Sequence, residues 1–155
     1  MRITDRLQAM VMHATARWTV RYGEELRFAG TELPAPEVVQ VDTGHGRVPV
    51  HVHGTGTTAH VHLHGGAWLM RYPQMDDWWC RYLAATTGAA VLNVDFRTGP
   101  YVAYPVAQEQ AHDVTVWAAG RYDRVSVGGF SSGGGMAAAV ALMARDRGSA
   151  APVLQ

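Results

Sequence analysis

The chain has 155 residues, 48% of them hydrophobic, and its 13 acidic side chains balance 13 basic ones. That length suits one compact domain able to bury about 68–70% of its unfolded surface, and a zero formal net charge gives no field for nucleic acid or anionic lipid. Every basic residue is arginine, which excludes a lysine nucleophile, a Schiff base and a phosphate-loop lysine.

In chain order, Met1 to Arg6 lack the apolar core of a signal peptide, and no run approaches the ~18 apolar residues of a membrane span. With Cys80 as the lone cysteine there is no internal disulfide, and the cytoplasm is the expected compartment. Residues 4–28 favour a helix capped by Thr4 or Asp5, with Leu7, Met10, Val11, Ala14, Trp18 and Tyr22 on its apolar face. Pro34-Ala35-Pro36 ends that arm. Strands are predicted at 37–42, 47–53 and 59–64, the first two joined as a hairpin through Gly44-His45-Gly46.

Residues 74–87 have helical spacing, with Met75, Trp78, Trp79, Tyr82 and Leu83 in one stripe and Cys80 a packed thiol. The continuous apolar run from Ala89 to Val94 predicts a strand buried on both faces. Pro105 opens a further helix whose inner face is Ala107, Ala111, Val114 and Ala118. Arg124 to Gly129 is again a strand, Gly133 to Arg145 a helix, and Ala151 to Gln155 the beginning of one more strand. From residue 59 strands and helices alternate, which predicts an α/β fold: a mostly parallel sheet wrapped by helices, with an antiparallel hairpin at one edge.

Two glycine-rich turns carry the chemistry, and each follows a strand. Gly129-Phe130-Ser131-Ser132-Gly133 is a G-x-S-x-G sequence between a strand and a helix, where a sharp, strained turn lifts a serine hydroxyl out of the sheet. The helix that starts there directs its positive end at developing negative charge. His64-Gly65-Gly66-Ala67-Trp68 is the second turn. A tetrahedral oxyanion needs two or three N–H donors aimed at one point, and glycines let backbone come close. The donors assigned are the amides of Gly65, Gly66 and Ser132. Ser131 is the nucleophile, and Trp68 and Phe130, beside the two turns, are the candidates for the substrate pocket wall, with simple packing the other reading for Trp68.

The ordered set His64-Gly65-Gly66-Ala67-Trp68, Val94-Asp95-Phe96-Arg97, Tyr104-Pro105-Val106-Ala107 and Gly129-Phe130-Ser131-Ser132-Gly133-Gly134 resembles the signatures of the hormone-sensitive-lipase-like esterases of the α/β-hydrolase superfamily. The resemblance spans residues 35–155. It implies hydrolysis of short- to medium-chain carboxylic esters, a small-molecule substrate and no cofactor. It also implies a single domain over 1–155, in which residues 1–30 form a cap-like helical arm on a core at 31–155. The sequence departs from the family pattern in two ways. Phe130 stands where the family often has Asp, and no histidine follows Ser131, where the family places its acid and then its histidine.

The resemblance therefore predicts an incomplete α/β-hydrolase domain, its N-terminal portion, without a base for Ser131. In that case the strand at 124–129 becomes an apolar edge open to association with another chain. Two further readings stand beside it: a non-catalytic binding module that keeps the pocket, and half of a split hydrolase completed by a second polypeptide.

The remaining polar residues are given structural roles. His51, His53, His60 and His62 are read as half-exposed sheet side chains and not a metal ladder, because the resemblance implies a topology in which the strand at 89–95 lies between the two that carry them. His64 is expected to hydrogen-bond its own loop, His112 to lie on the surface, and Asp95 and Arg97 to pair. Asp76 and Asp77 are expected only to favour a helix start.

Overall fold

The computed structural model describes residues 2–20 and 32–155. Strands β1 (Glu37–Thr43) and β2 (Gly46–His53) form the antiparallel hairpin, with Val39 opposite Val50 and Val41 opposite Val48. β3 (Thr58–Leu63), β4 (Ala90–Val94) and β5 (Arg124–Gly129) complete one five-stranded sheet in the order β1-β2-β4-β3-β5. β3 lies parallel to both β4 and β5, while β2 meets β4 antiparallel. This is the expected α/β-hydrolase type of sheet, and β4 does separate the two histidine-bearing strands.

The crossovers explain where a ligand fits. From β3 the chain passes through α2 (Asp77–Thr87) to β4 on one side of β3, then through α3 (Val106–Ala119) to β5 on the other. The strand order reverses at β3, and such reversals leave a crevice at the carboxyl ends of the strands. Both glycine-rich turns leave from those ends, one after β3 and one after β5.

α3 and α4 (Ser132–Arg147) pack together on one face of the sheet and α2 on the other. The main core lies under α3 and α4, where Val61, Leu63, Phe96, Ala111, Val114, Val127, Met136 and Val140 are all buried. The predicted inner face of α3 is the observed one. A smaller cluster of Cys80, Ala84 and Val91, joined by Leu33 and Leu83, fixes α2. Here the expected aromatic stripe gives way: small Cys80 and Ala84 face the sheet, and Trp78, Trp79 and Tyr82 are only half-buried.

α1 (Ile3–Thr19) is shorter than predicted, and residues 21–30 of the predicted arm, Tyr22 included, lie outside the described residues. The Asp5 carboxylate accepts the Arg2 N–H, 3.2 Å away, so Asp5 acts from inside the first turn. The buried positions of this helix are Ala9 and Ala16, while Leu7, Met10, Val11 and Trp18 are exposed. The predicted apolar face is therefore turned away from the body. Close approach favours the alanine face, and His13 fastens it through Leu69 carbonyl oxygen at 3.2 Å and an edge-on contact with Tyr101.

At the far edge, Val153 N–H donates to Val125 oxygen (2.8 Å) and Val127 N–H to Leu154 oxygen (3.0 Å). The final residues thus begin a parallel partner for β5, as predicted, and part of the edge expected to be bare is covered. Several polar expectations also change. His53 and His62 are fully buried, and His112 is 5% exposed with its Nε2 against Ser149 Oγ at 2.9 Å. Asp95 pairs with Arg71 through two bonds of 2.7 and 2.9 Å, and the Arg97 amide donates instead to Gln110. No helix among the described residues is long and apolar enough to cross a membrane.

Candidate active site

Ser131 occupies the sharp turn between β5 and α4 with φ 51° and ψ −117°, a backbone setting that L-residues rarely adopt. The flanking glycines make that turn possible. A Cβ on either Gly129 or Gly133 would overlap the carbonyl oxygen of Leu63 at the end of β3. The β5–α4 turn is therefore pressed directly against the start of the other glycine-rich loop. Gly133 and Gly134 N–H groups close the turn onto Phe130 and Ser131 oxygens at 2.7 and 3.0 Å. Helix geometry leaves the first amide of α4, that of Ser132, without an intrahelical acceptor.

The 64–68 loop is held from several sides. Gly66 has φ +114°, and a side chain there would crowd Met70; its carbonyl accepts the amides of Leu69 and Met70, both at 2.9 Å. Ala67 and Trp68 follow with φ of 54° and 59°. His64, fully buried, stacks on Phe96 with ring centres 4.2 Å apart, and its Nδ1 lies 2.6 Å from the Gly65 carbonyl oxygen. Burial pulls its pKa down to about 4, so the ring is neutral and donates from Nδ1 to its own loop, as the sequence predicted.

These two loops meet. A Cβ on Gly65 would stand 3.6 Å from Ser131 Cβ and 3.4 Å from Phe130 oxygen. Gly65, Gly66, Phe130 and Ser131 share the wall of a cavity of about 450 Å³ with Val20, Ala67, Met70, Met75 and Asp76. Trp68 is half-exposed and lines a neighbouring hollow of about 350 Å³ with Tyr104 and Gln108. Ser132 is buried behind the turn, and Phe130 packs among His62, Trp78 and Trp79 at 5.3 to 6.1 Å between ring centres.

Sequence reasoning missed Asp76. It is 2% exposed, and its Oδ2 accepts from His62 Nε2 at 2.9 Å and from the Gly65 amide at 3.4 Å. The sequence signal was the alternation in β3, which puts His60 and His62 on one face, but nothing in it said which helix covered that face. All eight histidines precede Ser131. Among the described residues their hydrogen bonds run elsewhere: His13 to Leu69, His45 to Glu109, His60 to Ser126, His62 to Asp76, His64 to Gly65 and His112 to Ser149.

A sheet reversing at β3, with a serine turn and a glycine loop converging at the strand ends, is the arrangement of an α/β hydrolase. Comparison with known proteins agrees. Residues 60–155 match a family described as alpha/beta hydrolase fold. A carboxylic ester hydrolase, LipN, of Mycobacterium tuberculosis is 30% identical, aligned over 99% of this chain and 43% of its own length. An arylesterase of Saccharolobus solfataricus is 34% identical over 56% of this chain and 30% of its own. The structure of a hyperthermophilic esterase from Pyrobaculum calidifontis superposes with a TM-score of 0.73 at 31% identity, covering 95% of this chain and 49% of that one. The chain belongs to the α/β-hydrolase family, in its hormone-sensitive-lipase-like branch. It spans less than half the length of these relatives.

Proposed function

We propose that this chain carries the nucleophile half of a carboxylic-ester hydrolase site. The observation that supports it best is the convergence of Gly65, Gly66 and Ser131 on one cavity, so close that a Cβ on Gly65 would stand 3.6 Å from Ser131 Cβ. Ser131 Oγ adds to the ester carbonyl carbon, and the carbonyl oxygen becomes an oxyanion facing the amides of Gly65, Gly66 and Ser132. Collapse expels the alcohol and leaves an acyl group on Ser131, which water then removes. Each oxyanion donor of this kind contributes about 2.7–4 kcal/mol to the transition state. Val20, Met70, Met75 and Phe130 give the cavity an apolar lining suited to a short or medium acyl chain. No cofactor enters the scheme.

The proton of the Ser131 hydroxyl needs a base, and no described histidine hydrogen-bonds to it. Losing a triad histidine costs on the order of 10⁶ in turnover. Polypeptide 1–155 is accordingly expected to be acylated at Ser131 by p-nitrophenyl butyrate only slowly, and to turn over near the residual level left by binding and the oxyanion donors. Mass spectrometry of the treated protein and of Ser131→Ala tests this. Slow acylation confined to Ser131 supports the proposal. Saturable ligand binding with no adduct would instead support a non-catalytic binding module. Fast turnover that disappears in Ser131→Ala would keep the hydrolase and reject the missing base.

A further inference from the structure

We infer that α1 is an interfacial helix whose outward apolar stripe docks the protein onto an anionic lipid surface. At about 100° per residue, Ile3, Leu7, Met10, Val11, Ala14 and Trp18 fall on one face of α1, and all are exposed. Ala9 and Ala16, the buried positions of the helix, lie on the opposite side, where His13 fastens it to Leu69. The stripe therefore points away from the body, with Ile3 81% and Val11 61% exposed along about 22 Å of helix. A continuous apolar face on a folded surface marks a site of contact.

The charges choose the partner. Arg2, Arg6 and Arg17 are exposed and gather along one border of the stripe, between it and the docked face, while Thr4, Gln8 and Thr15 form the other border. Against these arginines the helix carries one carboxylate, Asp5. The chain is neutral overall, so this positive border is local to α1. Arginine lays its aliphatic stem along apolar surface and keeps its guanidinium at the headgroup level, and each basic residue near an anionic leaflet strengthens the attraction. Arg17 lies over the Trp18 ring, 4.0 Å from its centre, so a cation and an amphipathic ring stand together at the end of the stripe. Length argues against a helical protein partner: α1 has 17 residues, and a coiled-coil seam needs about three to four heptads. A helix of this pattern lies on a lipid surface without crossing it. Val20, directly after α1, lines the Ser131 cavity, so docking sets that cavity beside the lipid. This last consequence rests on the hydrolase reading; the docking itself does not.

The test is flotation of polypeptide 1–155 with two kinds of vesicle, pure phosphatidylcholine and an equimolar mixture with phosphatidylglycerol. The wild type is expected to bind the mixed vesicles about tenfold or more tightly than the neutral ones. Leu7→Ser with Val11→Ser should weaken that binding by about tenfold or more. Its melting temperature should hold, because both positions are exposed. Arg6→Gln with Arg17→Gln should keep the weak binding to phosphatidylcholine and lose the preference for the mixture. If the serine variant does not fold, the arginine variant decides the matter. Absence of wild-type binding, equal binding to the two vesicles, or unchanged binding by a folded serine variant would overturn the inference. So would a dimer in sedimentation velocity that the serine variant reduces to monomer, since the stripe would then belong to a second copy. Failure of p-nitrophenyl butyrate to acylate Ser131 would instead defeat the hydrolase reading, while flotation still judges the helix.

Discussion

Ser131 holds its backbone at φ 51° and ψ −117° against the preference of every L-residue, and such settings cost about 1–3 kcal/mol. Replacing it by glycine removes that cost along with the hydroxyl. Ser131→Gly is expected to gain about 1 kcal/mol in urea denaturation while losing all acylation by p-nitrophenyl butyrate; a variant no more stable than wild type would show that the turn is relaxed. The same scale governs the response to acid. Burial lowers the pKa of both His60 and His64 from 6.5 to about 4. Between those values the unfolded chain binds protons that the folded one refuses. Their contribution is whole above pH 6.5 and is lost as pH falls toward 4, roughly 3 kcal/mol for His64. Urea midpoints across that window should fall steeply, and His64→Phe, stacked in the same slot on Phe96, should flatten the slope.

The elements are placed by backbone contact more than by side-chain bulk. β5, its turn and α4 lie so close to the end of β3 that Gly133 has no room for a methyl group, whereas one on Gly135 would sit 3.7 Å from Trp68 at ordinary contact. Gly133→Ala should cost about 3 kcal/mol or more, the upper end of overpacking. Gly135→Ala, inside the same helix, should gain up to about 1 kcal/mol from helix propensity. Thermal melts of the pair give the comparison directly, and equal effects would mean the close approach is not constraining. Strand positions, the hairpin and the inner face of α3 were legible in the sequence because alternation, a continuous apolar run at β4, a glycine turn and helical spacing each mark them locally. α1 and α2 were not. Both dock through alanine or cysteine, and a pattern that ranks residues by hydrophobicity points to the opposite side, toward Leu7, Val11 and Trp18 or toward Trp78 and Trp79.

For the whole molecule, the β5 edge of the sheet is only partly covered among the described residues. The two bonds from Val153 and to Leu154 cover β5 only at Val125 and Val127, and both side chains stay exposed. Val153→Pro removes one of those donors and should increase self-association, seen as faster species in sedimentation velocity; an unchanged distribution would show that this edge recruits nothing. At the other end, Glu109 joins His45 of the hairpin to Arg147 of α4, and Asp113 accepts the Gly44 amide, so the β1–β2 turn is tied to both helices. The bond from His45, then that from Arg147, holds the Glu109 carboxyl below its usual range.

By itself the sequence determined the fold class, the two turns and their order, because glycine spacing and hydrophobic period are local properties. It also pointed to Ser131 and the 64–66 loop as partners, because the two turns together resemble the ordered signatures of the esterase family. Only the tertiary structure decided that Gly65 and Ser131 line one cavity, that Trp68 faces a different hollow, and that Asp76 lies under the loop beside His62. Those are facts of register and crossover, in which residues distant along the chain meet because the strand order reverses at β3, and no local pattern encodes that meeting.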